Sequence, residues 1–252
     1  MRIKEEFCGI MNIVVDSGNT YAKVGWFSGE NLIRYKTRLS FDELLEVIRE
    51  SPGDNILFSS VGRSAEDFRQ ALQLNVPILN LDYTTPVPVE KKYDTPQTLG
   101  ADRIAAAVGA MSVLPQQDLV IIDMGSCITY DFLNSRAQFE GGLISPGMRM
   151  RFKAMHSFTQ RLPLIEPGEI PALIGKSTKH AMESGVLNGL IAEINGIVDA
   201  YKELSPSCQV VLCGGDAAFF ESHLKPPIFV IPELVLIGLN RILLYNVSLQ
   251  KK

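Results

Sequence analysis

Cysteine is scarce in this chain of 252 residues: there are four, Cys8, Cys127, Cys208 and Cys213, and none stands in a CxxC pair. Disulfide frameworks serve small secreted domains that cannot build a core, whereas this length buries one large core or two smaller ones. Cys208 and Cys213 have no histidines at ligand spacing, which disfavours zinc. The three histidines, His156, His180 and His223, are scattered and form neither a ligand pair nor a triad. Reduced thiols in a cytoplasmic setting are the expectation. Long hydrophobic runs are missing as well. The longest, such as "LVLIGL" at 234–239, fall far short of the roughly 20 residues that a bilayer requires, so no membrane partner is expected. The start "MRIKEEFCGIM" carries Glu5 and Glu6 and no apolar stretch of signal-peptide length, so export is not expected either. Met11 sits just before the first strand, and residues 1–10 read as a loosely held extension or a start-site artefact. Positive charge is not in excess: the formal net charge is -4. With no helix-turn-helix pattern, that speaks against a nucleic-acid partner, which needs clustered Lys and Arg.

What is present starts at residues 12–27, "NIVVDSGNTYAKVGWF". An apolar run ends in Asp16, a tight turn follows, and a second strand-like run begins. The pattern predicts strands at 12–16, 20–27 and about 31–37. "SFDE" at 40–43 reads as a capping box opening a helix to about Glu50. A strand at 55–61, a helix at 64–74 and a strand at 76–82 come next. The proline-marked stretch "YTTPVPVEKKYDTPQTLG" cannot be regular helix, and a helix starts at Gly100. Then the pattern restarts. "LVIIDMGSCITYDFL" (119–133) matches the opening, with Asp16 on Asp123, Gly18 on Gly125 and Asn19 on Ser126, an offset of 107 residues. That is too long for a solenoid period and indicates a duplicated domain. A strand around 138–144, helices at 146–161 and 177–204, a strand at 209–215 and a helix at 233–246 complete an α/β reading. The halves are taken as 1–116 and 117–252.

Each motif has a plain alternative. The glycine after a strand lets phosphate approach backbone amides, with Asn19, Thr20 and Ser126 adding donors. An Asp there repels phosphate unless a cation or ordered water intervenes, so Asp16 and Asp123 imply one. A single such turn is more simply a turn whose Asp bonds its own backbone; two copies point to a cleft between related domains, as in the actin, Hsp70 and sugar-kinase group. "LCGGDAAFF" (212–220) suits a nucleotide lying against backbone, although strand–Gly–helix junctions are common. "GADR" (100–103) admits two readings. Asp102 answers the helix dipole with Arg103 on a solvated face, or Asp102 takes a hydroxyl proton while Arg103 grips a substrate carboxylate. "LIGKST" (173–178) is not a P-loop, since position 170 is Ile where glycine is required; Ser177 or Thr178 caps a helix instead. "RMRFK" (149–153) reads as a solvated helix face above buried Met148, Phe152 and Met155, with an anion site as the lesser reading.

Taken in order, "DSGNTYAK" (16–23), "YDTPQTLGADR" (93–103), "DMGSCIT" (123–129), "GGLISPGMRMRFKAMHSFTQRLP" (141–163) and "STKHAMESGVLNG" (177–189) resemble the type III pantothenate kinases. The resemblance covers nearly the whole chain from Met11. It implies two similar RNase-H-like domains of the acetate/sugar kinase–Hsp70–actin superfamily, a cleft between them and a homodimer. It also implies phosphorylation of pantothenate by ATP, the first step of coenzyme A synthesis, with magnesium and a monovalent cation, K+ or NH4+. By position, Asp16, Ser17, Gly18, Asn19, Thr20, Tyr21, Ala22 and Lys23 would hold ATP, and Ser126 would meet it. Asp102 would be the base, and Tyr93, Gly100, Ala101, Asp102, Arg103 and Thr178 would line pantothenate. Asp123 would bind the monovalent cation. The family usually reads "DxGTA" where this chain has Asp123-Met-Gly-Ser-Cys. Ser126 keeps the hydroxyl, and Cys127 adds an oxidisable thiol if exposed. A kinase for another small hydroxy acid and a non-catalytic transcription accessory protein are the competing readings; Arg103 favours an acidic substrate, and Asp16, Asp102 and Asp123 together favour an active site.

Overall fold

The computed structural model describes residues 10–18 and 20–250. The proposed extension at 1–10 therefore lies, apart from Ile10, outside the described residues, as does Asn19. The chain divides into two compact units: Met1–Leu114 with Leu234–Lys252, and Pro115–Glu233.

In the first unit β1 (Met11–Ser17), β2 (Ala22–Ser28) and β3 (Asn31–Leu39) form an antiparallel meander. β4 (Asn55–Ser60) and β5 (Ile78–Asn80) extend it in parallel, in the order β3-β2-β1-β4-β5. Helix α1 (Phe41–Glu50) starts at the predicted capping box: the Glu43 amide donates to Ser40 Oγ, and the Ser40 amide donates to Glu43 Oε2 at 2.8 Å. It buries Leu44 and Ile48 against Ile13, Val15 and Trp26. α2 (Ala65–Leu72) adds Phe68 and Leu72 to the same layer, with the Phe58 and Phe68 rings stacked 4.2 Å apart. A two-residue strand, β6 (Glu90–Lys91), and a 3-10 turn at Pro96–Thr98 occupy the proline-marked stretch, which contains no regular α-helix.

Helix α3 (Ala101–Val113) is followed, after the whole second unit, by α7 (Leu234–Leu249), which packs on α3 and β1. The division at 116/117 put this closing helix in the second half; the structure groups it with the first. Gly109 and Gly238 explain the packing. Side chains at these positions would run into the facing helix, the one at 238 into the Ala105 carbonyl and the one at 109 into the Leu234 carbonyl. A buried amide chain also fixes α7: Asn55 Nδ2 donates to Asn12 Oδ1 (3.1 Å), Asn12 Nδ2 to Asn240 Oδ1 (3.3 Å), and Asn240 Nδ2 to the Gly29 carbonyl (2.9 Å).

The second unit repeats the sheet. β7 (Leu119–Met124), β8 (Cys127–Leu133) and β9 (Gln138–Pro146) are antiparallel; β10 (Gln209–Cys213) and β11 (Phe229–Val230) run parallel to β7. The unit's own five strands stand in the order β11-β10-β7-β8-β9, the counterpart of the first sheet strand for strand. α4 (Met148–Ser157) and α5 (Thr178–Leu204) cover one face. Ser177 caps α5 by accepting from the His180 amide, and Met182, Val186, Leu190, Ile194 and Val198 form its buried stripe. The α6 turn (Ala217–Phe220) follows β10.

Arginine 151 departs from the expected solvated face. Its Nη2 meets Glu193 Oε2 at 2.5 Å and Ser145 Oγ at 2.8 Å, and the buried Tyr130 hydroxyl donates to Glu193 Oε1 at 2.9 Å. Burial alone would raise the Glu193 pKa; hydrogen bonds from Arg151, Ser145 and Tyr130 outweigh it and leave the carboxyl below its ordinary value. Burial and the neighbouring Glu193 charge raise the Tyr130 phenol, which stays a donor. Among the described residues, no helix is long and apolar enough to cross a membrane.

Two outcomes follow. Gly238→Ala should destabilise the protein by about 2–3 kcal/mol through overpacking, read from urea unfolding. Gly196→Ala on α5, where a methyl meets open space, should gain up to about 1 kcal/mol; equal midpoints for the two variants would contradict the close crossing. A carboxyl with a lowered folded-state pKa contributes stability above its unfolded value and loses it as pH falls through the folded one. Glu193→Gln should therefore cost about 1 kcal/mol at pH 7, partial exposure included. The difference from wild type should shrink as pH falls below the ordinary glutamate value of 4.5; a gap that is the same at acid pH would remove the carboxylate from the network's energetics.

Candidate functional site

From Asn12 to Val15 every residue of β1 is buried, and the same holds for Leu119 to Ile122 of β7. Asp16 and Asp123 are the first carboxylates along these strands, each half-buried near the strand's carboxyl end. Asp16 stands opposite Lys23 on β2 and beside Ser59 on β4; Asp123 stands opposite Thr129 on β8 and beside Cys213 on β10. The two are thus equivalent by register as well as by sequence. Their hairpins differ in length. The first runs through residues 18–21, closed by the Gly18 amide on the Tyr21 carbonyl at 3.2 Å. The second needs only Gly125 and Ser126, closed by the Gly125 amide on the Cys127 carbonyl at 3.0 Å. Asp16, Ser17, Gly18, Thr20, Tyr21, Ala22 and Lys23 accordingly share one hairpin, with Lys23 Nζ 4.0 Å from Asp16 Oδ2; Asn19, assigned to the same task, lies outside the described residues.

The loop after β4 joins this hairpin and was not singled out in the sequence. The Val61 amide donates to the Ser17 carbonyl, and Ser60 Oγ accepts from the amides of Gly62 and Arg63 (3.3 and 3.0 Å). The signal was available in the repeat. Register makes Ser59 the counterpart of Cys213 and Ser60 that of Gly214, so "FSSV" (58–61) occupies the place that "LCGG" (212–215) holds in the second unit.

Helix α3 packs on β4 and opens with Gly100 as N-cap, then Ala101, Asp102 and Arg103. The Asp102 carboxylate folds back and accepts from the Arg103 amide at 2.9 Å. It occupies the space where residue 100 would carry a Cβ, so any larger residue there would displace it. Arg103 is 5 % exposed, which removes the solvated-face reading. Its Nη1 donates to the Tyr93 hydroxyl at 3.4 Å, and its guanidinium lies 5.6 Å from the Tyr93 ring centre. Tyr93, Gly100, Asp102 and Arg103 are therefore one constellation.

In the second unit Gly214 takes φ +93°, a conformation open to glycine. Its missing side chain leaves a cradle faced by Asp123 Oδ1 and the Met124 carbonyl. A carboxylate and a main-chain carbonyl side by side are hard oxygen donors, the kind that hold hard cations. No group of three or more His, Cys, Asp and Glu able to hold a metal exists among the described residues. Ser126 is exposed, with its carbonyl accepting from the Gly147 amide at 3.1 Å. Cys127 is half-buried, and Cys208 and Cys213 are buried and outside any disulfide. Thr178 begins α5 on an exposed turn, directly after Ser177, which caps the helix.

Residues 12–200 match the family model described as "Type III pantothenate kinase". A protein of that name from Cytophaga hutchinsonii is 48 % identical over 237 residues, covering 94 % of this chain and all of the relative. One from Bacteroides fragilis is 44 % identical over 240 residues, covering 94 % and 98 %. Among solved structures, a Campylobacter jejuni chain named provisionally as a Baf family transcriptional activator is similar at a TM-score of 0.64 and 24 % identity, over 94 % of this chain and 99 % of its own. An activator of 2-hydroxyisocaproyl-CoA dehydratase from Clostridium difficile, with ADPNP bound, is similar at 0.54 and 14 %, over 96 % and 98 %. These structural likenesses show the fold: two RNase-H-like α/β units.

Proposed function

The chain belongs to the type III pantothenate kinase family, and from that premise we propose that it transfers the γ-phosphoryl group of ATP to the primary hydroxyl of pantothenate, opening coenzyme A synthesis. The observation that carries the reading is the Gly100–Arg103 constellation: a carboxylate held at a helix start, beside a buried arginine braced by Tyr93.

The roles divide as follows. The hairpin from Asp16 to Lys23 holds the ATP phosphates, with glycine permitting close backbone approach and Lys23 adding positive charge. Ser126 meets ATP from the second hairpin. Arg103, with Tyr93, Gly100, Ala101 and Thr178, receives pantothenate; a buried guanidinium matches a substrate carboxylate. Asp102 orients the attacking hydroxyl and accepts its proton. A carboxylate is a weak base toward an alcohol. In a loose phosphoryl-transfer transition state the proton leaves late, so orientation is its larger contribution. Asp123 would hold K+ or NH4+ and Asp16 would face the magnesium that accompanies ATP; these ions would supply positive charge against the phosphates.

We extend the reading to a cytoplasmic homodimer. Ile144 on β9 and Leu173 and Ile174 before α5 are exposed apolar residues of the kind such pairing covers.

The test is phosphate transfer from Mg-ATP to pantothenate by the purified protein and by Asp102→Asn. Wild type should require pantothenate, and the variant should lose at least about 100-fold in kcat with ATP binding little changed. ATP binding without transfer would point to another acceptor; near wild-type turnover of the variant would remove Asp102 from its role.

A further inference from the structure

Three loops of the second unit meet where β7 ends. Residues 124–126 supply carbonyls. The Met124 carbonyl accepts from the Asp216 amide at 3.0 Å, and the Ser126 carbonyl from the Gly147 amide at 3.1 Å. Residues 147–149 open α4, and residues 214–216 leave β10. Backbone bonds thus tie each outer loop to the central one. The two outer loops are tied to each other by a side-chain pair, Arg149 Nη1 to Asp216 Oδ1 at 2.8 Å.

The position of Asp216 is unusual for its residue type. It stands at the N-cap of the α6 turn, where an aspartate ordinarily accepts from its own helix. It makes no such bond, and its carboxylate faces Arg149 instead, with the side chain 13 % exposed against 54 % for Arg149. Gly214 and Gly215 precede it, so the loop has little intrinsic stiffness, and its order must come from contacts. Arg149 itself bonds no group of the cradle; whatever it does there, it does through Asp216.

We propose that Arg149 and Asp216 form a positioning clasp that holds the Gly214–Asp216 loop against the end of β7, keeping the Asp123 and Met124 oxygens at the spacing a monovalent cation requires. This rests on the reading of Asp123 as the cation residue. Removing Arg149 leaves a mostly buried carboxylate without its cation, and the carboxylate relaxes toward water. The Asp216 amide is drawn off the Met124 carbonyl, and the cradle loosens. Outer residues that orient first ligands commonly tune metal affinity in this way. A half-exposed ion pair that merely decorates the surface would contribute almost nothing, and the two cases separate experimentally.

The experiment compares wild type, Arg149→Met, Arg149→Lys and Asp123→Asn in two readouts. One is amide hydrogen exchange across residues 213–220; the other is the potassium concentration for half-activation of phosphate transfer. Arg149→Met should speed exchange at the Asp216 amide and raise the potassium requirement about tenfold, with the melting temperature changed by no more than about 2 °C. Arg149→Lys, which keeps the charge, should recover most of both. Unchanged exchange in Arg149→Met overturns the clasp, whatever the kinetics. Faster exchange with unchanged potassium response, or no potassium response in wild type, overturns its link to the cation. Potassium dependence that survives in Asp123→Asn but shifts in Arg149→Met would instead sink the assignment of Asp123 and leave the clasp standing.

Discussion

The whole arrangement depends on the burial of two strands. β1 and β7 are each paired on both edges and have almost no exposure from Asn12 to Val15 and from Leu119 to Ile122. Asn12 is tolerated inside β1 because Asn55 and Asn240 bond it. An unpaired carboxylate there would be desolvated at a cost of several kcal/mol, and the carboxyl end is where Asp16 and Asp123 stand. Parallel neighbours β4 and β10 end at the same level, and their loops emerge beside those carboxylates. Ligand-binding groups collect at the carboxyl ends of strands for this reason in open α/β sheets generally.

A second constraint is the absence of side chains where backbone or carboxylate must approach closely. Gly238 lets α7 meet α3 at the backbone, Gly100 leaves room for the Asp102 carboxylate, and Gly214 opens the oxygen cradle. One device serves helix packing in the first case and the placement of a carboxylate in the other two. The consequences differ because a carbonyl in a helix cannot move aside, whereas a short side chain can. A methyl at 238 acts on stability, and a methyl at 100 acts on where Asp102 points.

Much of this was legible in the chain itself. The Asp-x-Gly repeat at an offset of 107 residues announced two units with the same sheet, and the strands, the Ser40 capping box and the start of α5 at Ser177 appeared where local pattern placed them. What local pattern could not carry was long-range. The closing helix is apolar on its own terms, and nothing within 233–246 says that its partner is α3, more than a hundred residues earlier. Arg149 and Arg151 read as a solvated face, and Arg103 stayed open between a solvated face and a substrate grip, because their partners, Asp216, Glu193 and Tyr93, are brought in by the fold. The Ser60–Arg63 loop escaped notice for a different reason: it lacks the double glycine of its counterpart, and the register between strands is what makes the two equivalent.

The central claim is that duplication supplied two equivalent carboxylates which have taken different work, Asp16 beside a long phosphate hairpin and Asp123 beside a glycine cradle. The most direct measurement is the magnesium and potassium dependence of ATP binding and turnover in Asp16→Asn and Asp123→Asn side by side. Divided roles predict that Asp16→Asn weakens Mg-ATP binding about tenfold or more while keeping its response to potassium, and that Asp123→Asn loses the potassium response while still binding Mg-ATP. Loss of the same response in both variants would contradict the division.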